Sequence, residues 1–475
     1  MFKTETYSPQ VKRLVLEDCH ATGRNFFMSF SVAGHRLTKR YRYFDVDFEN
    51  LRARYGNEFI ERVCFHIMAL EAIPLASFQP TQLDLGPFAR FHSARFERLW
   101  RTIFIKAGAE WRYQNSLPNY QGPSFPLQRT EASFAPVCLE VGPIETLCFC
   151  GGGKDSLAAM KLFESAGLSF SSYSYSHPAY GATEKQFALI DSLLDANTPE
   201  RRHRVEIETN SVADGGGLCA ETPISIFGAL PVALQHGYRS LVLGNERSAD
   251  EPNLKWLQTG EFVNHQWGKS LEAELLISAY VREQLISNLH CFSVLRPMHD
   301  PVIFSFLRRF PDAVKNTHSC NHKKPWCFEC AKCAYVGLGF TAYLPRDLAR
   351  QIVPSDLFDN PANQLFFRQL LGLEAHKPFE CVGEAGEARL ALEICRARGL
   401  CGHAVELCVD PALDPVESAK SYCEIAPPAA CFPPDLWRSL SPLMLNAGHE
   451  AFNYISSACS LDHALAGVAG ISGRT

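Results

Sequence analysis

The stretch ETLCFCGGGKDSLAAMKLFESAG, residues 145–167, joins a short apolar run to three consecutive glycines and then to a segment with helical spacing. The apolar run predicts a strand, and the segment from Lys154 predicts a helix that ends at Gly167. Glycine permits the positive φ angles that turn successive backbone N–H groups toward one anion. The positive end of the helix and the charge of Lys154 add to this attraction. The stretch therefore predicts a phosphate-binding loop; a glycine-rich turn capped by Asp155 is the alternative.

The chain continues from this loop as alternating strands and helices. LSFSSYSYS (168–176), HRVEIET (203–209) and RSLVLG (239–244) predict strands, whereas EKQFALIDSLLDA (184–196) and ISIFGALPVALQHG (224–237) predict helices, the second interrupted by Pro231. Short strands separated by helices indicate βαβ units, so the predicted fold class is α/β with a parallel sheet. Ligands bind such sheets beyond the carboxyl ends of the strands, where the glycines lie.

The length of 475 residues predicts more than one domain. Residues 1–140 are expected to form an N-terminal α+β domain, because FFMSFSVAGHRLTKRYRYF (26–44) alternates like a hairpin and residues 48–70 have helical spacing. Residues 141–345 are expected to form the domain that carries the glycine loop. Residues 346–475 are expected to form a mainly helical C-terminal region without a recognisable motif.

Composition argues against two classes of partner. The formal net charge of -5 argues against a nucleic-acid-binding protein that relies on a basic face. No stretch approaches the length of a membrane span, and the N-terminus lacks the apolar core of a secretory signal. We therefore expect a cytoplasmic protein whose 18 cysteines are mostly reduced. The sequence indicates no oligomeric state.

One cysteine cluster differs from the scattered others. HSCNHKKPWCFECAKCAYV (318–336) carries Cys320, Cys327, Cys330 and Cys333 in a C-x6-C-x2-C-x2-C spacing. The two-residue gaps let neighbouring thiolates converge on one tetrahedral ion. Four sulfur ligands leave no open position, so a bound Zn²⁺ would be structural. An iron–sulfur cluster and free buried thiols are the alternatives.

The glycine loop is not the usual nucleoside-triphosphate P-loop, since Cys148 stands at that motif's first glycine and Asp155 follows its lysine. It resembles the pyrophosphate (PP) loop of the N-type ATP pyrophosphatases, Ser-Gly-Gly-x-Asp-Ser, with Gly151 in place of the first serine. That resemblance implies a Rossmann-like (HUP-like) core that grips the pyrophosphate half of ATP while a substrate oxygen is adenylated. The loop together with the downstream cysteines also resembles the cyano-deazaguanine synthases, which carry a four-cysteine zinc site.

Other stretches resemble the UDP-N-acetylmuramoyl-L-alanyl-L-glutamate epimerase family more closely. The resembling elements are GNERS (244–248), NHQWGKS (264–270), WCFECAKC (326–333) and HKPFECVGE (376–384), together with GGGKDS. The resemblance covers residues 145 to 390. It implies ATP-dependent inversion of the terminal L-glutamate of a UDP-linked muramoyl dipeptide, a small-molecule substrate of peptidoglycan synthesis.

The implied chemistry has a physical reason. An α-proton beside an ionised carboxylate is hard to remove, because the carbanion would lie next to a negative charge. An acyl-adenylate removes that charge, so that a base can take the proton and an acid can return one to the other face. Hydrolysis then releases the D-glutamyl product, AMP and pyrophosphate. Mg²⁺ would offset the phosphate charge in the first step.

The resemblance implies roles for named residues. The β- and γ-phosphates are expected to contact Gly151, Gly152, Gly153, Lys154 and Ser156, and Asp155 is expected to ligate Mg²⁺ or cap the helix. Asn245 and Glu246 are expected to contact nucleotide or metal, and Arg247 the substrate; a fixed surface turn is the alternative. The substrate carboxylate or phosphate is expected to contact Asn264, His265, Lys269 and Lys377; solvated side chains are the alternative.

Cys381 is the expected acid or base, with His265, Lys154 and Asp155 as further catalytic residues. A thiol serves in that role if its pKa is tuned, and His376 and Lys377 are close in sequence. A buried, inert cysteine is the alternative. Cys219 is a second candidate for the opposite face.

Two other functions remain open at the level of sequence. One is adenylation of a different carboxylate followed by amidation or nitrile formation, as in the cyano-deazaguanine synthases. The other is a nucleotide-sensing or partner-binding module that has kept the fold and lost turnover. The intact Lys154-Asp155-Ser156 run argues against the second of these.

Overall fold

The computed structural model describes residues 13–126, 134–210, 218, 220–407 and 414–469, with side chains described as far as residue 459. Its strands are β1 Arg13–Thr22, β2 Asn25–Val32, β3 His35–Tyr43, β4 Gln82–Asp84, β5 Thr146–Phe149, β6 Ser171–Ser176, β7 Arg202–Thr209, β8 Ser240–Leu243, β9 Leu254–Lys255, β10 Phe262–Val263 and β11 His290–Ser293.

The helices before β11 are α1 Phe48–Tyr55, α2 Asn57–Glu71, α3 Ala94–Ala107, α4 Ala109–Gln114, α5 Lys154–Ser165, α6 Thr183–Asp195, α7 Glu221–Gly228, α8 Leu230–His236 and α9 Leu271–Gln284. The helices after it are α10 Asp300–Leu307, α11 Pro311–Val314, α12 Ala331–Tyr343, α13 Arg346–Ile352, α14 Gln364–Leu370, α15 Ala385–Ala397, α16 His403–Glu406, α17 Pro415–Cys423 and α18 Pro434–Ala469.

Nine strands form one sheet in the order β11-β8-β5-β6-β7-β3-β2-β1-β4. The five strands from β11 to β7 are parallel, as the strand–helix alternation predicts. Connections from β5 run to β6 and β7 on one side and to β8 and β11 on the other. The order of the chain therefore reverses between β5 and β8, and such a switch point opens a crevice at the carboxyl ends of the two strands.

The N-terminal strands extend this sheet instead of forming a separate one. β2 and β3 pair as the predicted hairpin, and β3 pairs antiparallel with β7. The predicted helical segment 48–70 is two helices, because Gly56 adopts φ +86° between α1 and α2. A domain boundary near residue 140 stays a prediction.

Two layers of helices cover the sheet. Successive residues of a strand point to opposite faces, so Leu147 and Leu241 join a core with α2 and α3, whereas Cys148 and Val242 join a core with α5 and the C-terminal helices. The second core includes residues of α12, α15 and α18, which confirms the mainly helical C-terminal region. None of the helices in the described part of the chain combines the length and hydropathy that crossing a bilayer requires.

Candidate active site

A cavity of about 460 Å³ lies at the switch point, beside the carboxyl ends of β5, β6 and β8. Eight residues predicted from sequence lie in its wall: Gly151, Gly153, Asp155, Ser156, Asn245, His265, Lys269 and Cys381. They come from four separated stretches of sequence. The fold therefore brings the glycine loop and the Cys381 thiol to one space.

The glycine loop follows β5 and leads into α5, as predicted. Gly152 adopts φ +87°, and a Cβ atom there would lie 2.0 Å from Cε1 of His318. A Cβ atom on Gly151 would meet nothing within 4 Å, so the first position of the loop has room for the serine of the Ser-Gly-Gly pattern. Ser156 donates its hydroxyl to the carbonyl of Gly153, which closes the loop onto the helix. The N-terminus of α5 faces the cavity and favours an anion there.

Lys154 points away from the cavity into the layer beneath the loop. Its side chain is 4% exposed and its ammonium lies 2.5 Å from Oδ1 of Asp300. It also contacts the carboxylate of Asp155. Burial opposes its charge, but Asp155 and Asp300 raise the pKa of Lys154 above its ordinary value. Lys154 therefore fixes the carboxylates beside the loop and does not line the cavity.

Asp155 was expected either to ligate Mg²⁺ or to cap α5, and its contacts bear on both roles. No side chain caps the N-terminus of α5, so Asp155 is not a helix cap. Its carboxylate lines the cavity and is held by Lys154. Glu246 lies close by and is 5% exposed, and burial together with the charge of Asp155 raises its pKa. The pair offers carboxylate oxygens at the edge of the glycine loop.

The turn after β8 is buried, so a surface turn does not describe it. The backbone N–H of Asn245 donates to Ser293 Oγ, and Gly244 packs against the backbone of Asp155. Asn245 lines the cavity, whereas Arg247 is half-buried outside its wall at the start of the 3-10 turn Arg247–Asp250. The turn therefore ties the end of β8 to the end of β11 and to the first turn of α5.

Cys381 lies among positive charges in the cavity wall. Burial favours its neutral thiol, but Lys269, Lys332 and His265 hold the pKa of Cys381 well below its ordinary value. Burial likewise opposes the imidazolium of His265, but Cys381 and Glu110 raise the pKa of His265 to about 10. These charges favour the thiolate of Cys381 beside the imidazolium of His265, a setting that is typical of reactive cysteines.

Other predicted residues lie outside the cavity wall. Asn264 uses its side-chain amide to hold the carbonyl of Ala249 and the N–H of Gln266. His376 Nδ1 donates to the carbonyl of Lys377, and its ring packs on Phe379. Lys377 Nζ is buried without a hydrogen-bond partner among the described residues. Of the residues predicted from sequence, His265 and Lys269 are therefore the two that lie beside Cys381. Cys219 lies outside the described residues.

The four predicted cysteines converge beside this cavity. The sulfur atoms of Cys320, Cys327, Cys330 and Cys333 all lie within 4.8 Å of one another. Backbone N–H groups of His322, Lys323 and Glu329 point at these sulfurs, as thiolates require. The cluster could therefore hold a metal ion in a closed tetrahedral set. Its loop also delivers His318, Ser319 and Lys324 to the cavity wall.

Three residues at or next to the site, His318, Asp300 and Glu110, were not predicted from the sequence. His318 lies two residues before Cys320, and Asp300 begins α10, the helix that follows β11, so both lie at positions that sequence patterns could have indicated. Glu110 of α4 contacts His265 from a distance of 155 residues along the chain. Nothing in its local pattern signals that contact.

Comparison with known proteins gives two matches to one family. Residues 79–294 match the family model for the MurL N-terminal domain, and residues 313–406 match that for the MurL C-terminal domain. The first match begins before the glycine loop and includes α4. No solved structure matches the chain.

Three relatives carry the name UDP-N-acetyl-alpha-D-muramoyl-L-alanyl-L-glutamate epimerase. Proteins of a Micromonospora species and of Salinispora tropica are 30% and 31% identical over 62% of this chain. The matches span 66% and 64% of those relatives' own lengths. A protein of Xanthomonas oryzae pv. oryzae is 28% identical over 63% of this chain and 67% of its own length.

The loop geometry predicts that Gly152→Ala destabilises the protein by roughly 1–3 kcal/mol, because alanine is strained at positive φ and its methyl would collide with His318. Urea unfolding measures the change. Gly151→Ala is the matched control, expected to stay within about 0.5 kcal/mol of the parent because its methyl has open space. Equal losses in the two variants would contradict the described loop.

The cysteine cluster predicts that the purified protein carries about one metal ion per chain and that Cys327→Ser lowers this content severalfold, because a closed site loses one of its four thiolates. Elemental analysis by mass spectrometry measures the ratio. Cys401→Ser removes an exposed thiol outside the cluster and is expected to keep the metal. Full metal content in the Cys327 variant would refute this ligand set.

Proposed function

This chain belongs to the MurL family, and we therefore propose that it inverts the terminal L-glutamate of UDP-N-acetylmuramoyl-L-Ala-L-Glu to D-glutamate in peptidoglycan synthesis. The proposed reaction consumes ATP, passes through an acyl-adenylate and releases AMP and pyrophosphate. One observation carries the proposal: the glycine loop and the Cys381 thiol open into the same cavity of about 460 Å³. An enzyme that adenylates a carboxylate and then moves the neighbouring proton needs both groups within reach of one substrate.

In the adenylation step, the glycine loop and the N-terminus of α5 hold the pyrophosphate half of ATP. Backbone N–H groups and the helix dipole attract the phosphates there without a flexible charged side chain. The α-phosphorus then faces the cavity, where the substrate carboxylate attacks it. Asp155 and Glu246 are suited to hold a Mg²⁺ ion, which would offset the phosphate charge. Lys154 orients Asp155 for this task from below.

In the proton-transfer step, the thiolate of Cys381 is the base. Adenylation has removed the negative charge from the carboxyl group, so the α-proton is acidic enough for a thiolate to accept. The ammonium of Lys269 and the imidazolium of His265 stabilise the thiolate and then the developing enolate oxygen. An acid returns a proton to the opposite face before hydrolysis. The four-cysteine cluster would hold a structural zinc ion, since its sulfurs leave no open coordination position.

The proposal is tested by incubating the protein with ATP, Mg²⁺ and UDP-N-acetylmuramoyl-L-Ala-L-Glu. The expected products are the D-glutamyl isomer, measured by chiral analysis after acid hydrolysis, and AMP in a ratio near one per turnover. UDP-N-acetylmuramoyl-L-Ala is the control substrate, because it lacks the glutamate. Unchanged chirality would reject the substrate assignment, and incorporated nitrogen would favour amidation or nitrile formation.

The separation of the two steps predicts the behaviour of Cys381→Ala. The variant is expected to keep pyrophosphate release with the dipeptide substrate, because the glycine loop is intact. Epimerisation and solvent deuterium incorporation at the α-carbon are expected to fall by roughly a hundredfold or more, because the base is missing. Pyrophosphate assay and mass spectrometry in D₂O measure the two rates. Full deuterium incorporation in this variant would remove Cys381 from the mechanism.

A further inference from the structure

His265 is held from the side opposite the cavity by a carboxylate of the N-terminal region. Its Nδ1 lies 2.5 Å from Oε2 of Glu110, and Glu110 Oε1 accepts a hydrogen bond from Gln114 at 2.9 Å. The side chains of Glu110 and His265 are 11% and 16% exposed. A carboxylate this deeply buried is costly without a charged partner, so the pair favours the imidazolium form.

The loop that carries His265 is hydrogen-bonded on both sides of Cys381. Asn253 accepts from the backbone N–H of His265 at 2.8 Å and donates to the carbonyl of Pro378 at 2.7 Å. Gln266 donates to the carbonyl of Val382 at 2.8 Å. These bonds fix the backbone of residues 378–382 against the loop of His265, so the distance between ring and sulfur does not depend on the side chains alone.

The Glu110 contact also decides which ring nitrogen meets the sulfur. Because Nδ1 is taken by Glu110, Nε2 is the ring nitrogen left to face Cys381, which lies in the same cavity wall. The second nitrogen of an imidazole commonly sets the tautomer and orientation of the first in this way. Glu110 does not line the cavity, so it reaches the substrate only through His265.

We propose that Glu110 is a positioning residue of the proton-transfer site, whose carboxylate holds Nδ1 of His265 and so directs a protonated Nε2 at the sulfur of Cys381. The proposal deepens the proposed function and rests on it for its catalytic meaning. It assigns a task to α4: this N-terminal helix supplies the outer member of a carboxylate–imidazole–thiolate chain. A merely structural salt bridge would hold α4 to the loop without affecting the thiol.

The test compares the full-length protein with Glu110→Gln, which keeps the shape of the side chain and removes its charge. Iodoacetamide alkylation of Cys381 is followed at the peptide level by mass spectrometry over a pH series, because the thiolate is the reacting form. Lys269, Lys332 and His265 surround Cys381 and stay unchanged. The midpoint of the alkylation profile is expected to rise by about one pH unit or more. At a pH below the midpoint, that shift corresponds to about a tenfold loss of thiolate.

Glu97→Gln is the matched control. Glu97 also pairs with a histidine, His92, at 3.1 Å, but neither residue lines the cavity. Its alkylation profile is expected to superimpose on that of the parent protein. A Glu110→Gln profile that also superimposes on the parent would overturn the proposal, whatever happens to activity. If Glu110→Gln does not fold, Glu110→Asp, which retracts the carboxylate by one methylene, is expected to move the midpoint in the same direction.

A double-variant cycle tests whether Glu110 acts through His265. His265→Asn alone is expected to raise the alkylation midpoint, and adding Glu110→Gln is expected to raise it no further. An additional shift in the double variant would mean that Glu110 acts on Cys381 independently and would overturn the proposal.

The alkylation assay needs no substrate, so its outcome is separate from that of the proposed function. Where the parent protein epimerises the muramoyl dipeptide, Glu110→Gln is expected to lower kcat for epimerisation about tenfold or more and to leave the KM for ATP unchanged, because the glycine loop is untouched. A raised KM for ATP with normal kcat would contradict the positioning role.

Discussion

A lysine ammonium and an aspartate carboxylate meet 2.5 Å apart beneath the glycine loop, and both are almost completely buried. Removing two charges from water costs several kcal/mol for each ion, so Lys154 and Asp300 have to stay together. Tyr335 donates to the other oxygen of Asp300, and Glu387 accepts from the backbone of Asp300. The ion pair thereby fixes the first turn of α5 to α10, α12 and α15, and the glycine loop cannot shift without breaking this network.

The cavity above this network is lined by two chemically different sets of groups. Backbone N–H groups and carboxylates around Asp155 suit a nucleotide with a divalent cation. The sulfur of Cys381 near Lys269 and His265 suits proton transfer beside a carbonyl group. The proposed function needs both sets in one space, because it would couple activation of a carboxylate to inversion of the neighbouring carbon.

Two parts of the chain that carry no catalytic motif shape this cavity from outside. The loop of the four cysteines places His318 over Gly152, so a metal held by those cysteines would stabilise the glycine loop from a distance. The N-terminal region extends the sheet through β3, which pairs antiparallel with β7, and supplies Glu110 to His265. Both contributions depend on rigid support, which the continuous sheet provides and a metal held by the four cysteines would add.

Local pattern determined the strand–loop–helix of residues 145–167, the parallel sheet and the spacing of the four cysteines, because periodicity and ligand gaps act between neighbours in sequence. Family resemblance added His265, Lys269 and Cys381, and their common cavity agrees with it. The sequence indicated the wrong neighbours for Cys381. His376 and Lys377 are close to Cys381 along the chain, but His265 is the histidine that lies near its sulfur. Only the tertiary structure decided that Lys154 faces Asp300 and that Glu110 holds His265, because charges separated by 146 and 155 residues find each other through folding alone.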